Sequence, residues 1–180
     1  MHIEKRNIED VLVLKSEKIS DKRGWFQESY SQNKFINLGL EFQFVQDNLV
    51  YSKNNVLRGL HFQRTKSSFS QGKLVSCIKG KIFDVAVDLR PESDTYKSWV
   101  GYFLDEKDNK FIYIPEGFAH GYSVESKDTI VHYKCTKHYD PNSEIGIIWN
   151  DPDINIDWPS NNYILSDKDQ NNVQLKDLVI

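Results

Sequence analysis

Lys81-Ile82-Phe83-Asp84-Val85-Ala86-Val87-Asp88-Leu89-Arg90 alternates along its length. Successive side chains of a strand point to opposite sides, so Phe83, Val85, Val87 and Leu89 share one face and Asp84, Ala86 and Asp88 the other. Pro91, which cannot donate to a ladder, ends the run. Residues 111–114 (Phe-Ile-Tyr-Ile) and 129–133 (Thr-Ile-Val-His-Tyr) read as further strands on their β-branched and aromatic content. Gly72, Gly80, Gly101, Gly117, Gly121 and Gly146 set turn signals at short intervals between such runs. Helical signal is confined to residues 31–38, stopped by Gly39, and to a short C-terminal stretch. Many short strands with regular turns predict a mainly β chain, a sandwich or barrel of the jelly-roll type with a few short helices.

The bulk properties narrow the function classes. At 180 residues the chain reads as one domain, 1–180, large enough to bury a core without staples. No repeat, low-complexity tract or linker interrupts it. A net charge of −3 with interspersed acids and bases gives no nucleic-acid footprint. Cys77 and Cys135 are too few for a disulfide framework, and their spacing suits no zinc site. Met1-His2-Ile3-Glu4-Lys5-Arg6 runs into charge rather than an apolar segment, so no signal peptide is expected. No apolar run reaches the length of a membrane span, and a cytoplasmic protein is the expectation.

Asn55-Val56-Leu57-Arg58-Gly59-Leu60-His61-Phe62-Gln63 sets a cation and an imidazole three residues apart in an apolar strand. On an ideal strand Arg58 and His61 point to opposite faces, so Gly59 is expected to mark a bulge or bend that re-aims one of them. A buried, unpaired cation is costly, which makes Arg58 a poor core residue. Taken alone, the segment is read equally well as an edge strand with a solvated arginine and a core histidine. Other blocks accompany it in order: Arg23-Gly24 with Glu28, then Phe44-Val45-Gln46-Asp47-Asn48, and after it Gly72-Lys73-Leu74-Val75. The strand at Phe83, Pro115-Glu116-Gly117-Phe118-Ala119-His120-Gly121, Tyr133-Lys134 and Leu165-Ser166-Asp167-Lys168-Asp169 complete the series. In this order, from about residue 10 to about residue 170, the chain resembles the dTDP-4-dehydrorhamnose 3,5-epimerase family of nucleotide-sugar enzymes.

That resemblance implies a cupin-type jelly roll, a homodimer whose N-terminal strand crosses to its partner, a nucleotide-diphospho-sugar substrate and no cofactor. Epimerisation beside a ketone needs a base near neutral pKa, a donor for the enolate oxygen and an acid on the far face. His61 suits the base, since an unperturbed imidazole titrates near pH ~6.5. The resemblance supplies Asp169 as the carboxylate that orients it, in the manner of a triad aspartate. Ser166-x-x-Asp169 also fits a capping box at a helix start, the reading that the residues alone favour. Tyr133, whose strand neighbours Val131 and Cys135 share its face, matches the family's acid, against the alternative of an ordinary core tyrosine. Lys73 matches the lysine near the sugar C4 oxygen, against that of an exposed lysine after Gly72.

Arg23 and Arg58 are candidate pyrophosphate clamps, because a guanidinium fork matches phosphate oxygens. The resemblance assigns Glu28, Gln46, Asn48 and Lys168 to substrate binding and Phe26 to stacking on the base, in the latter case from a partner subunit. It sets His120 near the site, although a histidine between glycines can be structural. Metal-dependent cupins offer a His-x-His pair; here the stretch is His61-Phe62-Gln63, and His132 and His138 do not recreate the spacing, so no catalytic metal is expected. Three departures from the family pattern bear on the substrate. Residues 64–71 form a loop about two residues longer than usual, which could re-aim Lys73. Leu49 and Val50 replace more polar residues, and His138 stands where many relatives have an aromatic. Relatives of this kind act on dTDP-hexoses, others on GDP-linked 4-keto heptoses, and some invert C3 only.

Overall fold

The computed structural model describes residues 1–8, 10–66 and 68–178, and for 5–7 the backbone alone. Ser67, part of the longer loop expected between His61 and Lys73, lies outside the described residues. Two six-stranded antiparallel sheets face each other. The first runs β1 (His2–Asn7), β2 (Val11–Lys15), β11 (Lys110–Ile114), β8 (Lys73–Lys79), β13 (Asp128–Cys135) and β5 (Gln46–Lys53). The second runs β10 (Trp99–Asp105), β9 (Lys81–Asp88), β12 (Phe118–Val124), β6 (Leu57–Arg64) and β14 (Glu144–Gly146), with β7 (Phe69–Ser70) paired to β6. A separate hairpin joins β3 (Lys18–Asp21) to β4 (Gly24–Gln27). This is the mainly β jelly roll that the alternation predicts.

The alternation of β9 has a specific use. Ile82 and Ala86 pack between the sheets against Val75, Ile112, Ile114 and Val131. Phe83, Val85, Val87 and Leu89 point the other way and are also buried, because the C-terminal segment brings Ile147, Ile154, Trp158 and Leu175 over that face. Each such side chain contributes about 1.5–3 kcal/mol when fully buried. The outer face of the first sheet is partly covered by α1 (Gln32–Asn37), whose Phe35 packs with Leu40 on Leu12, Leu14 and Leu74. Gly39, at φ 78°, ends that helix in the left-handed conformation, and its amide returns to the Ile36 carbonyl. The interior is thus apolar on one side of β9, while Asp84 and Asp88 bring two fully buried carboxylates to the other. Asp88 is satisfied by Arg90, Ser93 and Thr95. Asp84 belongs to the site.

Candidate active site

The bulge expected at Gly59 builds the site. Between β6 and β12, His61 pairs with His120 and Arg58 with Tyr122, so β6 carries one residue more between those pairs. Gly59 has φ 118°, and a Cβ there would meet the Gly121 Cα at 2.6 Å and the His120 carbonyl oxygen at 2.8 Å. Only glycine permits that approach. The extra residue turns Arg58 and His61 to one side, where both line a cavity of about 280 Å³. Lys73, Tyr133 and Val50 line it from the first sheet, and His120, Tyr122 and Glu144 from the second.

His61 Nε2 lies 2.6 Å from Asp169 Oδ1, and the Asp169 side chain is buried. Asp169 sits in α2 (Asp167–Gln170), where its amide donates to the Ser166 hydroxyl at the N-cap. The cap and the dyad are therefore the same structure: the short helix fixes the backbone while the carboxylate turns to the imidazole. Burial pushes the Asp169 carboxyl up, but hydrogen bonds from His61, Ser166 and the Gly59 amide outweigh it and hold the group below the usual range. An ionised Asp169 accepts the Nε2 proton, which leaves Nδ1 as the basic nitrogen.

Beside His61 a second pair is buried, His120 Nε2 to Asp84 Oδ2 at 2.8 Å. Burial lowers the His120 pKa against the pull of Asp84. Lys73, the first residue of β8, is likewise lowered by burial, partly offset by Cys135, Glu144 and Asp84. Tyr133 shares its face of β13 with buried Val131 and Cys135, and burial raises its pKa, so the phenol keeps its proton at neutral pH. Asn48 and Gln46 lie opposite Tyr133 and Cys135 on β5, with Gln46 Nε2 donating to Asn48 Oδ1 at 3.0 Å. Val50 continues that face into the cavity, whereas Leu49 turns out to solvent.

Lys168 pairs with Glu144 at the rim, and the Tyr139 hydroxyl donates to the same carboxylate at 3.0 Å. Burial raises the Glu144 pKa, but Lys168, His61 and Tyr139 outweigh it and leave it lowered. The exposed Arg58 guanidinium, braced on the Ser52 hydroxyl at 3.0 Å, adds a cation. Arg23, Phe26 and Glu28 do not line this cavity within one chain. Arg23 pairs with Asp21, Glu28 with Lys34, and Phe26 is 67% exposed on the hairpin. His138 is exposed, and its neighbour Tyr139 is the residue bonded to Glu144.

Sequence reasoning missed Asp84, Tyr122, Glu144 and Tyr139. Asp84 had a signal, an acid on an otherwise apolar alternating strand; Glu144, in a three-residue strand, had none. Gln63 stands where a metal-binding cupin has its second histidine. Among the described residues no three His, Cys, Asp or Glu side chains gather as a metal would require, and no helix is long and apolar enough to cross a membrane.

Residues 5–177 match the family model described as dTDP-4-dehydrorhamnose 3,5-epimerase. The enzyme of that name from Methanothermobacter thermautotrophicus is 49% identical over 93% of this chain and 90% of its own length. The Escherichia coli enzyme is 46% identical over 99% of this chain and 97% of its own. The crystal structure of the Legionella pneumophila dTDP-6-deoxy-D-glucose-3,5-epimerase in complex with dTDP-4-keto-L-rhamnose superposes with a TM-score of 0.93 at 40% identity, covering 99% of this chain and 94% of that one. With a histidine–aspartate pair on one wall of a jelly-roll cavity and a half-buried tyrosine on the other, the chain belongs to the dTDP-4-dehydrorhamnose 3,5-epimerase family, isomerases that act on sugars.

Proposed function

We propose that the chain inverts C3 and C5 of a dTDP-4-keto-6-deoxyhexose by proton abstraction and return through an enolate. The observation that carries this reading is the pairing of His61 with Asp169 on one sheet side of the cavity while Tyr133 faces in from the other sheet. His61 Nδ1 takes the proton from the carbon beside the ketone, and the C–H electron pair moves to the C4 oxygen. Ionised Asp169 stabilises the imidazolium so formed. The Lys73 ammonium stabilises the charge that develops on the enolate oxygen. Tyr133 then delivers its phenolic proton to the opposite face, and the electron pair returns from oxygen to carbon. The imidazolium loses its proton to solvent and the phenolate regains one, so no net proton is consumed.

Arg58 and Lys168 hold the pyrophosphate end, with Gln46, Asn48 and His120 along the sugar. Arg23, Phe26 and Glu28 reach a cavity only if they serve a second copy of the chain. The exposed Ile19, Trp25 and Phe26 on the β3–β4 hairpin support a homodimer in which they do. Its place is the cytoplasm, feeding surface polysaccharide such as capsule or O-antigen. The other readings are a C3-only epimerase, a 3,4-ketoisomerase, an enzyme of a GDP-4-keto-heptose, and a binding protein without chemistry. Proton NMR in deuterated water with dTDP-4-keto-6-deoxyglucose separates them. Exchange at C3 and C5 is expected; exchange at C3 alone, or none with this sugar, overturns the reading.

A further inference from the structure

Residues 136–143 join β13 of the first sheet to β14 of the second, between Tyr133 and Glu144, which both line the cavity. Two glutamines, one from each sheet, hold successive amides of this segment. Gln46 Oε1 of β5 accepts the Tyr139 N–H at 2.8 Å, and Gln63 Oε1 of β6 accepts the Asp140 N–H at 2.9 Å. The Arg64 amide adds a bond to the Ser143 carbonyl at 2.8 Å. Gln63 is 4% exposed and lies directly across the sheet from Glu144. Its Nε2 is buried with no hydrogen-bond partner among the described residues. A buried donor left unpaired costs stability, so an apolar side chain would serve the core better. What Gln63 supplies is the acceptor for Asp140, and with it the placement of Tyr139, whose hydroxyl fixes Glu144.

We propose that Gln63 is a positioning residue for substrate binding. It holds the 136–143 segment so that Tyr139 keeps Glu144 in place against the bound nucleotide sugar, and it takes no part in proton transfer. The inference rests on the epimerase reading for its substrate.

The test compares wild type, Gln63→Met, Tyr139→Phe and the double variant, with dTDP-4-keto-6-deoxyglucose as substrate. Gln63→Met should raise KM roughly tenfold, the scale of one well-placed hydrogen bond, and leave kcat within about twofold. Its melting temperature should change little, since the variant removes an unpaired donor along with the bond. If the effect runs through Tyr139, the double variant should be no worse than about the stronger single one. An unchanged KM, a loss confined to kcat, or fully additive effects would overturn the proposal.

Hydrogen exchange on the wild type supplies a readout that needs neither folding of the variant nor turnover. The Tyr139 and Asp140 amides should be protected, and more so with thymidine diphosphate bound. Rapid exchange at Asp140 would overturn the proposal even if Gln63→Met fails to fold. A wild type that binds thymidine diphosphate but turns over no 4-keto sugar would instead defeat the functional reading, leaving the exchange result to judge Gln63.

Discussion

Replacing Asp169 by Asn keeps the shape of the dyad and removes its charge. The carboxylate now accepts from His61 Nε2 at 2.6 Å and also from the Gly59 amide and the Ser166 hydroxyl. An asparagine has one acceptor oxygen. If that oxygen faces His61, the amide NH2 is turned toward the Gly59 N–H, donor against donor. If it faces Gly59, the NH2 points at Nε2 and drives the imidazole proton to Nδ1, which removes the base. The milder case forfeits one charge-assisted hydrogen bond, about 1.5–3 kcal/mol, or roughly a 10- to 150-fold fall in rate. The harsher case resembles loss of the aspartate in a serine-protease triad, on the order of 10⁴-fold. The assay is deuterium incorporation at C3 of dTDP-4-keto-6-deoxyglucose under saturating substrate, with thymidine diphosphate affinity measured alongside. Affinity should stay within about twofold, because Asp169 acts through His61 and contributes no donor to the nucleotide. Exchange within threefold of wild type, or a loss of affinity that accounts for the fall, would refute the reasoning.

Arg58→Ala should weaken thymidine and guanosine diphosphates by a similar factor, about tenfold, because a guanidinium at the cavity reads phosphate and not base; titration of both nucleotides decides this. Gly59→Ala should lose on the order of 3 kcal/mol or more and disorder the site, since its Cβ would meet the Gly121 Cα at 2.6 Å from a φ of 118°; a chemical denaturation midpoint equal to wild type would exclude the bulge as described. Burial raises the Asp88 carboxyl, but Arg90, Ser93 and Thr95 outweigh it and lower its pKa to about 2. A depressed carboxylate contributes stability that is present above its unfolded value near ~4 and is lost as pH falls through the folded value. Asp88→Asn should therefore lower stability by about 2 kcal/mol at pH 7, and the gap to wild type should close as pH falls from ~5 to ~2. A gap constant with pH in urea denaturation would contradict that assignment.

The strands were legible because alternation and punctuation are local. The 81–90 run, the short helix stopped by Gly39 and the bulge at Gly59 all follow from a few neighbouring residues. The two readings of Ser166 and Asp169 could not be separated locally, and they prove to be compatible. What stayed hidden depends on register between distant strands. Asp84 meets His120 because β9 and β12 pair side by side. Glu144 becomes a cavity residue through its register with Gln63 and its contacts with Tyr139 and Lys168. Alternation on β9 suggested an apolar and a polar face, yet both are buried, because only the later chain decides what covers a sheet. Arg23, Phe26 and Glu28 carry no local sign that they sit away from their own cavity.

The central claim is that two residues on opposite walls, His61 and Tyr133, divide the proton transfer. Tyr133→Phe in deuterated water tests it most directly. His61 still removes the first proton in this variant, but the opposite face has no acid. Deuterium should wash into C3 of dTDP-4-keto-6-deoxyglucose with little or no inverted product, as read by proton NMR. Full inversion at close to the wild-type rate would contradict the assignment, since some other group would then be the acid.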